Sequence, residues 1–226
     1  RFGPQPDGRV IQILLQVCGS LLEAHSRGLM HRDIKPANIM LTRRAGVGDF
    51  AKLLDFGLVK AQDTRQQTML TATDMITGTP LYMAPESISD AEHVDSRADL
   101  YALGAVAYFM LSGRPVFEAN NVIEIIRRHV ESQPKPLAEA AKVPVAAALD
   151  QLIMRLLEKS PDKRPASAAE MIDVLARVSP MQPWTPADAE RWWTQHDPAG
   201  GPATTATQDV ALPATVQHSG KTTATS

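Results

Sequence analysis

The chain has 226 residues, 44% of them hydrophobic and 21% charged, and a formal net charge of −2. That size and balance suit a soluble globular core with room for a tail, and the near-neutral charge excludes a polyelectrolyte surface for nucleic acid or anionic membrane. A single cysteine, Cys18, excludes an internal disulfide and fits a reducing compartment, and no apolar run approaches the ~20 residues that span a bilayer.

Arg1 to Gly8, with Gly3, Pro4, Pro6 and Gly8, predicts a turn-rich lead-in. Val10, Ile11, Leu14, Leu15, Cys18, Leu21, Leu22 and His25 recur at helical steps, which predicts an amphipathic helix with Cys18 as a packed core thiol. Gly28 is placed to end that helix. The apolar pieces Leu29-Met30, Ile39-Met40-Leu41 and Lys52-Leu53-Leu54 are too short for helices and predict short strands, with Thr42 to Phe50 as the loop between the last two. Gln62 to Thr79 is polar, threonine-rich and aperiodic, the pattern of a mobile loop.

Ser96 to Ser112 is apolar on nearly every face, so this helix should lie at the centre of its domain, with Asp95 as its cap. Asn120 to Val130, Val145 to Leu157 and Ser167 to Val178 predict further helices, the last opened by a capping box of Ser167 and Glu170. Beyond Val178 the character changes: Pro180, Pro183 and Pro186 punctuate the chain, and Ala187 to His196 predicts a short helix. Trp184, Trp192 and Trp193 read as a hydrophobic cap on the lobe. From Asp197 the residues are mostly Ala, Thr, Gly and Pro, too poor in large apolar side chains to offset the entropy of ordering, which predicts disorder. The divisions are 1–178, an extension over 179–196 and a tail over 197–226.

The chemistry concentrates between His31 and Asn38, in the run His31-Arg32-Asp33-Ile34-Lys35-Pro36-Ala37-Asn38, completed by Asp55-Phe56-Gly57. Asp33 can accept a hydroxyl proton, and Lys35 can neutralise a transferring phosphoryl group. Asn38 with Asp55 can hold magnesium through oxygen ligands. Downstream, Gly78-Thr79-Pro80-Leu81-Tyr82-Met83-Ala84-Pro85-Glu86 follows in workable order.

Together these motifs closely resemble the eukaryotic-like serine/threonine protein kinases, bacterial in style, over about Gly8 to Val178. The resemblance implies an α+β, protein-kinase-like fold: the mostly helical C-terminal lobe, with short strands around the catalytic loop. It implies Asp33 as catalytic base, assisted by Lys35 and Thr79, and ATP with Mg2+ as cofactors. Lys35, Asn38, Met40 and Asp55 would contact them, with Asn38 and Asp55 as the metal ligands. Lys35 two residues after the base, and Thr79, accompany serine/threonine specificity in this family. Phe56 and His31 would join the family's internal apolar stack. Glu86 would pair with Arg164 in a buried ion pair, and Asp99 would hold the backbone around His31-Arg32. Thr71 and Thr73 would be phosphorylated for activation, their phosphates sensed by Arg32 and Lys60.

The same resemblance implies protein substrates, self-association for phosphorylation in trans, no nucleic-acid partner, and a cytoplasmic setting with an anchor conceivable beyond Ser226. Nothing in the chain matches the family's glycine-rich phosphate loop or its strand-borne lysine, so the smaller N-terminal lobe is absent from it. With no secretory leader and a start at Arg1, the sequence reads as a fragment. Two other readings remain at this point: a pseudokinase scaffold, and a kinase of small molecules. The Gly78–Glu86 segment with its Arg164 partner favours protein substrates over the latter.

Overall fold

The computed structural model of the chain describes residues 2–44, 47–54, 80–90 and 92–196. Helices dominate. In chain order they are α1 (Asp7–Ser26), α2 (Pro85–Ser89), α3 (Arg97–Ser112), α4 (Val122–Glu131), α5 (Leu137–Ala140), α6 (Ala147–Leu156), α7 (Ala168–Leu175) and α8 (Pro186–His196). Between α1 and α2 stand two antiparallel strands, β1 (Ile39–Arg44) and β2 (Val47–Leu53), joined as a hairpin.

The apolar stripe of α1 is buried as its spacing requires: Val10, Leu14, Val17, Cys18 and Leu21 sit in the core. Burial pushes the Cys18 thiol up to about 12, so it stays protonated and inert. The helix ends where Gly28 takes a φ of +72°, and the amides of Gly28 and Leu29 bond the carbonyls of His25 and Ala24 at 3.0 Å each. That is a Schellman closure, which only glycine enters without strain. It also explains one difference from the sequence reading. Leu29-Met30 is not a strand: the Leu29 amide is spent on the helix end.

A second difference concerns the segment expected to be a loop from Thr42 to Phe50. Both strands run on into it, pairing Thr42 with Phe50 and Arg44 with Val47, with a register irregularity between Thr42 and Arg44. Arginines, a glycine and an aspartate hid the ladder from a reading based on apolar runs. Along β2 the side chains of Asp49, Ala51 and Leu53 are buried and Lys52 is exposed, the period of two of a strand with one covered face.

Helix α3 is buried through most of its length, from Asp99 to Tyr108 and again at Leu111, as expected of a helix apolar all round. α6 packs against it and α7 against α1, making one continuous core. Asp95 accepts the Arg97 amide at 2.9 Å and so ties the first turn of α3. Ser167 Oγ accepts the Glu170 amide, and the Glu170 carboxylate reaches back to the Ala166 amide, one residue before the cap. Among the described residues no helix is long and apolar enough to cross a membrane.

Candidate active site

Three elements converge on the loop between α1 and β1. Asp99, buried on α3, accepts the amides of His31 and Arg32 at 2.8 Å each, one on each carboxylate oxygen. His25, from the last turn of α1, brings Nε2 to 2.9 Å from Asp99 Oδ2. One carboxylate thus joins α1, α3 and the loop. Arg32 has a φ of 64°, a left-handed conformation that costs a non-glycine residue of order 1–3 kcal/mol and persists only where its surroundings over-determine it. The double grip of Asp99 supplies that determination.

The imidazole of His31 is buried, with Nε2 donating to the Leu54 carbonyl at 2.8 Å and Nδ1 accepting the Asp33 amide at 3.4 Å. Asp33 therefore hangs from a ring that is itself fixed to the end of β2. On the other side, Lys35 Nζ lies 3.0 Å and Asn38 Nδ2 lies 3.1 Å from the same oxygen, Asp33 Oδ2. Asn38 Nδ2 also donates to the Asp33 carbonyl at 2.7 Å. The short turn Pro36–Asn38 ends in the ladder: the Asn38 carbonyl accepts the Leu54 amide at 2.8 Å. Oδ1 of Asp33 has no partner among the described residues, and the carboxylate is about a third exposed.

A partly exposed carboxylate therefore stands beside the Lys35 ammonium. The amide nitrogen of Asn38 is committed to Asp33, so its Oδ1 is the atom that could hold a cation. A carbonyl oxygen beside a carboxylate is a donor set for a hard divalent ion such as magnesium. Among the described residues no cluster of three or more His, Cys, Asp or Glu that could hold a metal occurs. Met40 sits half-buried on β1 opposite Lys52. Asp55, Phe56, Lys60, Thr71, Thr73 and Thr79 lie outside the described residues.

A second constellation lies beneath α2. Arg164, its side chain fully buried, forks onto Glu86 with Nη1 to Oε1 at 2.6 Å and Nη2 to Oε2 at 2.7 Å. Its remaining protons go to the carbonyls of Glu158, Arg97 and Lys159, so nothing on the guanidinium is left unsatisfied. The guanidinium stands 4.9 Å over the ring of Tyr101, whose hydroxyl is 2.8 Å from His129 Nδ1. Burial first, and then the Lys159 cation, lowers His129 to about 4. Lys159 donates to the His129 carbonyl at 2.7 Å, near the C-terminus of α4, and burial lowers it to about 8.

Sequence reasoning assigned no site role to His25, Tyr101, His129 and Lys159, nor to Asp7, Arg9 and Asp49. One signal was available. His129 falls four residues after Ile125 and shares its buried helix face; Arg9 falls four before Ile13 on α1. A cavity of about 750 Å3 lined by Tyr108, Phe117, Arg128 and Lys135, among others, contains none of the site residues.

Comparison with known proteins follows the same lines. The family model described as the protein kinase domain matches residues 3–174. The serine/threonine-protein kinase Pkn1 of Myxococcus xanthus is 44% identical over 172 residues, which is 76% of this chain and 24% of that protein. The kinase pkn3 of the same organism is 40% identical over 170 residues, 74% of this chain and 31% of that protein. The kinase PknB of Mycolicibacterium smegmatis is 37% identical over 216 residues, 93% of this chain and 33% of that protein. The chain thus spans between a quarter and a third of the length of these relatives.

Proposed function

This chain belongs to the protein kinase domain family, and on that premise we propose that the full-length protein is a serine/threonine kinase that transfers the γ-phosphate of ATP to protein hydroxyls. The observation that carries the reading is the meeting of Lys35 and Asn38 on one oxygen of Asp33, while the other has no partner among the described residues. Asp33 orients the acceptor hydroxyl and takes its proton, work that needs position more than covalent chemistry. Lys35 stays beside it to balance charge on the phosphoryl group.

Asn38 and Asp55 would hold magnesium, which would supply charge neutralisation along the phosphates. Met40 would contact the adenine. Glu86 and Arg164 anchor the segment that receives the substrate, with Thr79 bonding Asp33 and Lys35. Phosphates on Thr71 and Thr73, read by Arg32 and Lys60, order the loop between them and the site. Copies of the protein associate to phosphorylate one another. The 226 residues alone are nearly inactive, because the glycine-rich loop and the paired lysine that close an ATP pocket in this family are not among them.

The test is phosphate transfer from Mg-ATP by the full-length protein, onto itself and onto a generic serine/threonine substrate, beside Asp33→Asn. Transfer that disappears in the variant supports the reading. Absence of both transfer and ATP binding in the native protein replaces it with a pseudokinase scaffold.

A further inference from the structure

The residues after the family match build a strap that locks the far end of the β1–β2 hairpin. Asp49, near the tip, is 2% exposed and takes a left-handed φ of 57°. Its carboxylate accepts four hydrogen bonds: Arg9 Nε at 3.0 Å, an Arg9 terminal nitrogen at 2.6 Å, Trp184 Nε1 at 2.8 Å and Trp193 Nε1 at 3.0 Å. Two of the four come from the strap. The Arg9 guanidinium lies 3.8 Å from the Trp192 ring centroid and 5.1 Å from that of Trp184.

Beside it, Gly48 is bare because the Trp193 ring occupies the place of a side chain: a Cβ there would stand 2.6 Å from Trp193 Cδ1. Arg43 on β1 pairs with Glu190 on α8. Asp7, buried at the head of α1, accepts the amides of Met181 and Gln182 at 2.7 and 2.8 Å and so fastens the strap's near end.

A lone two-stranded ribbon is marginal in water and depends on what packs against it for its register. Here the ladder already carries one irregularity near the tip. Its open end carries Asn38, bonded through its carbonyl to the Leu54 amide, and Leu54 in turn holds His31. A one-residue slip of β2 would shift that end by ~3.3 Å and take Leu54 away from both partners.

We infer that the strap from Met181 to His196, through Asp49, is a positioning element for Asn38 and His31, holding the hairpin in the register the site requires. The inference deepens the kinase reading and rests on it for its consequence, while the hairpin coupling itself is tested separately.

The experiment is hydrogen exchange at individual amides in the full-length protein, native against Trp193→Phe and Glu190→Gln, with Met171→Ala in the distant α1–α7 core as a control for general destabilisation. Coupling is read as faster exchange, tenfold or more, at Leu54 as well as at Ala51 in the strap variants, with Leu54 still protected in the control. Faster exchange confined to residues 47–51 overturns the inference and leaves the strap as a cover for the tip. Should Trp193→Phe fail to fold, Glu190→Gln, at an edge ion pair, decides alone by the same criterion. A parallel titration with Mg-ADP gives the consequence: at least fivefold weaker magnesium-dependent affinity in the strap variants. If the native protein binds no Mg-ADP, the kinase reading fails while the exchange result still stands or falls by itself.

Discussion

Asp33 and Asp49 flank one hairpin, a few residues before it and inside it, and the protein treats their carboxylates in opposite ways. Asp49 is buried and its two oxygens accept four hydrogen bonds, two of them from an arginine that is itself 1% exposed. Asp33 is about a third exposed, both of its side-chain partners crowd one oxygen, and the other is open among the described residues. A saturated buried carboxylate stores its energy in the fold, because desolvation is offset only while every partner stays. The difference is one of accounting for lone pairs among the described residues, and it sets the saturated Asp49 apart from Asp33, the base proposed above.

The comparison breaks most sharply under substitution. Asp33→Asn should lower phosphate transfer by the factor typical of a lost proton acceptor, about 10²–10⁴, with the free energy of urea unfolding changed by no more than about 0.5 kcal/mol. Asp49→Ala should do the reverse. It leaves the Arg9 charge buried without its partner and should cost about 3–5 kcal/mol in equilibrium unfolding. Equal stability losses in both variants would erase the distinction.

A third buried polar group sharpens the same rule through pH. His129 faces Tyr101 on one side and the Lys159 cation nearby, with Arg164 and Glu86 beyond Tyr101. Its folded value of about 4 lies below the ordinary 6.5, so between those values the unfolded chain binds a proton that the folded chain refuses. Stability that is complete above about pH 6.5 should therefore fall as pH drops, by about 3 kcal/mol at pH 4. Urea unfolding at pH 7 and 4.5 checks this, and His129→Gln should flatten the dependence. The smallest effect belongs to a half-buried cap: Ser167→Ala should cost about 1 kcal/mol, read as a shift in thermal midpoint, with transfer unchanged.

Much of the fold was legible in advance because it follows from local periodicity. The apolar stripe of α1, the all-round apolar surface of α3 and the Ser167 cap each act over a few residues, and the helices stand where those patterns placed them. The hairpin was legible only at its apolar ends. Its middle is stabilised by pairing and by Trp193 lying on Gly48, neither of which leaves an apolar run. Leu29-Met30 looked like a strand because two apolar residues stand between a glycine and a histidine; the closure of α1 claims the Leu29 amide first.

What the sequence determined alone was therefore local form and family membership: the helix periods, and the ordered motif of Asp33, Lys35, Asn38 and Asp55 that carries the resemblance. Tertiary structure decided which acids were saturated and which were left open. Asp7, Asp49 and Asp99 take their meaning from donors as many as 175 positions away in the chain, brought together only when α1, α3, the hairpin and α8 pack. A hydrogen bond has no period along a sequence, so no reading of spacing could have assigned those partners.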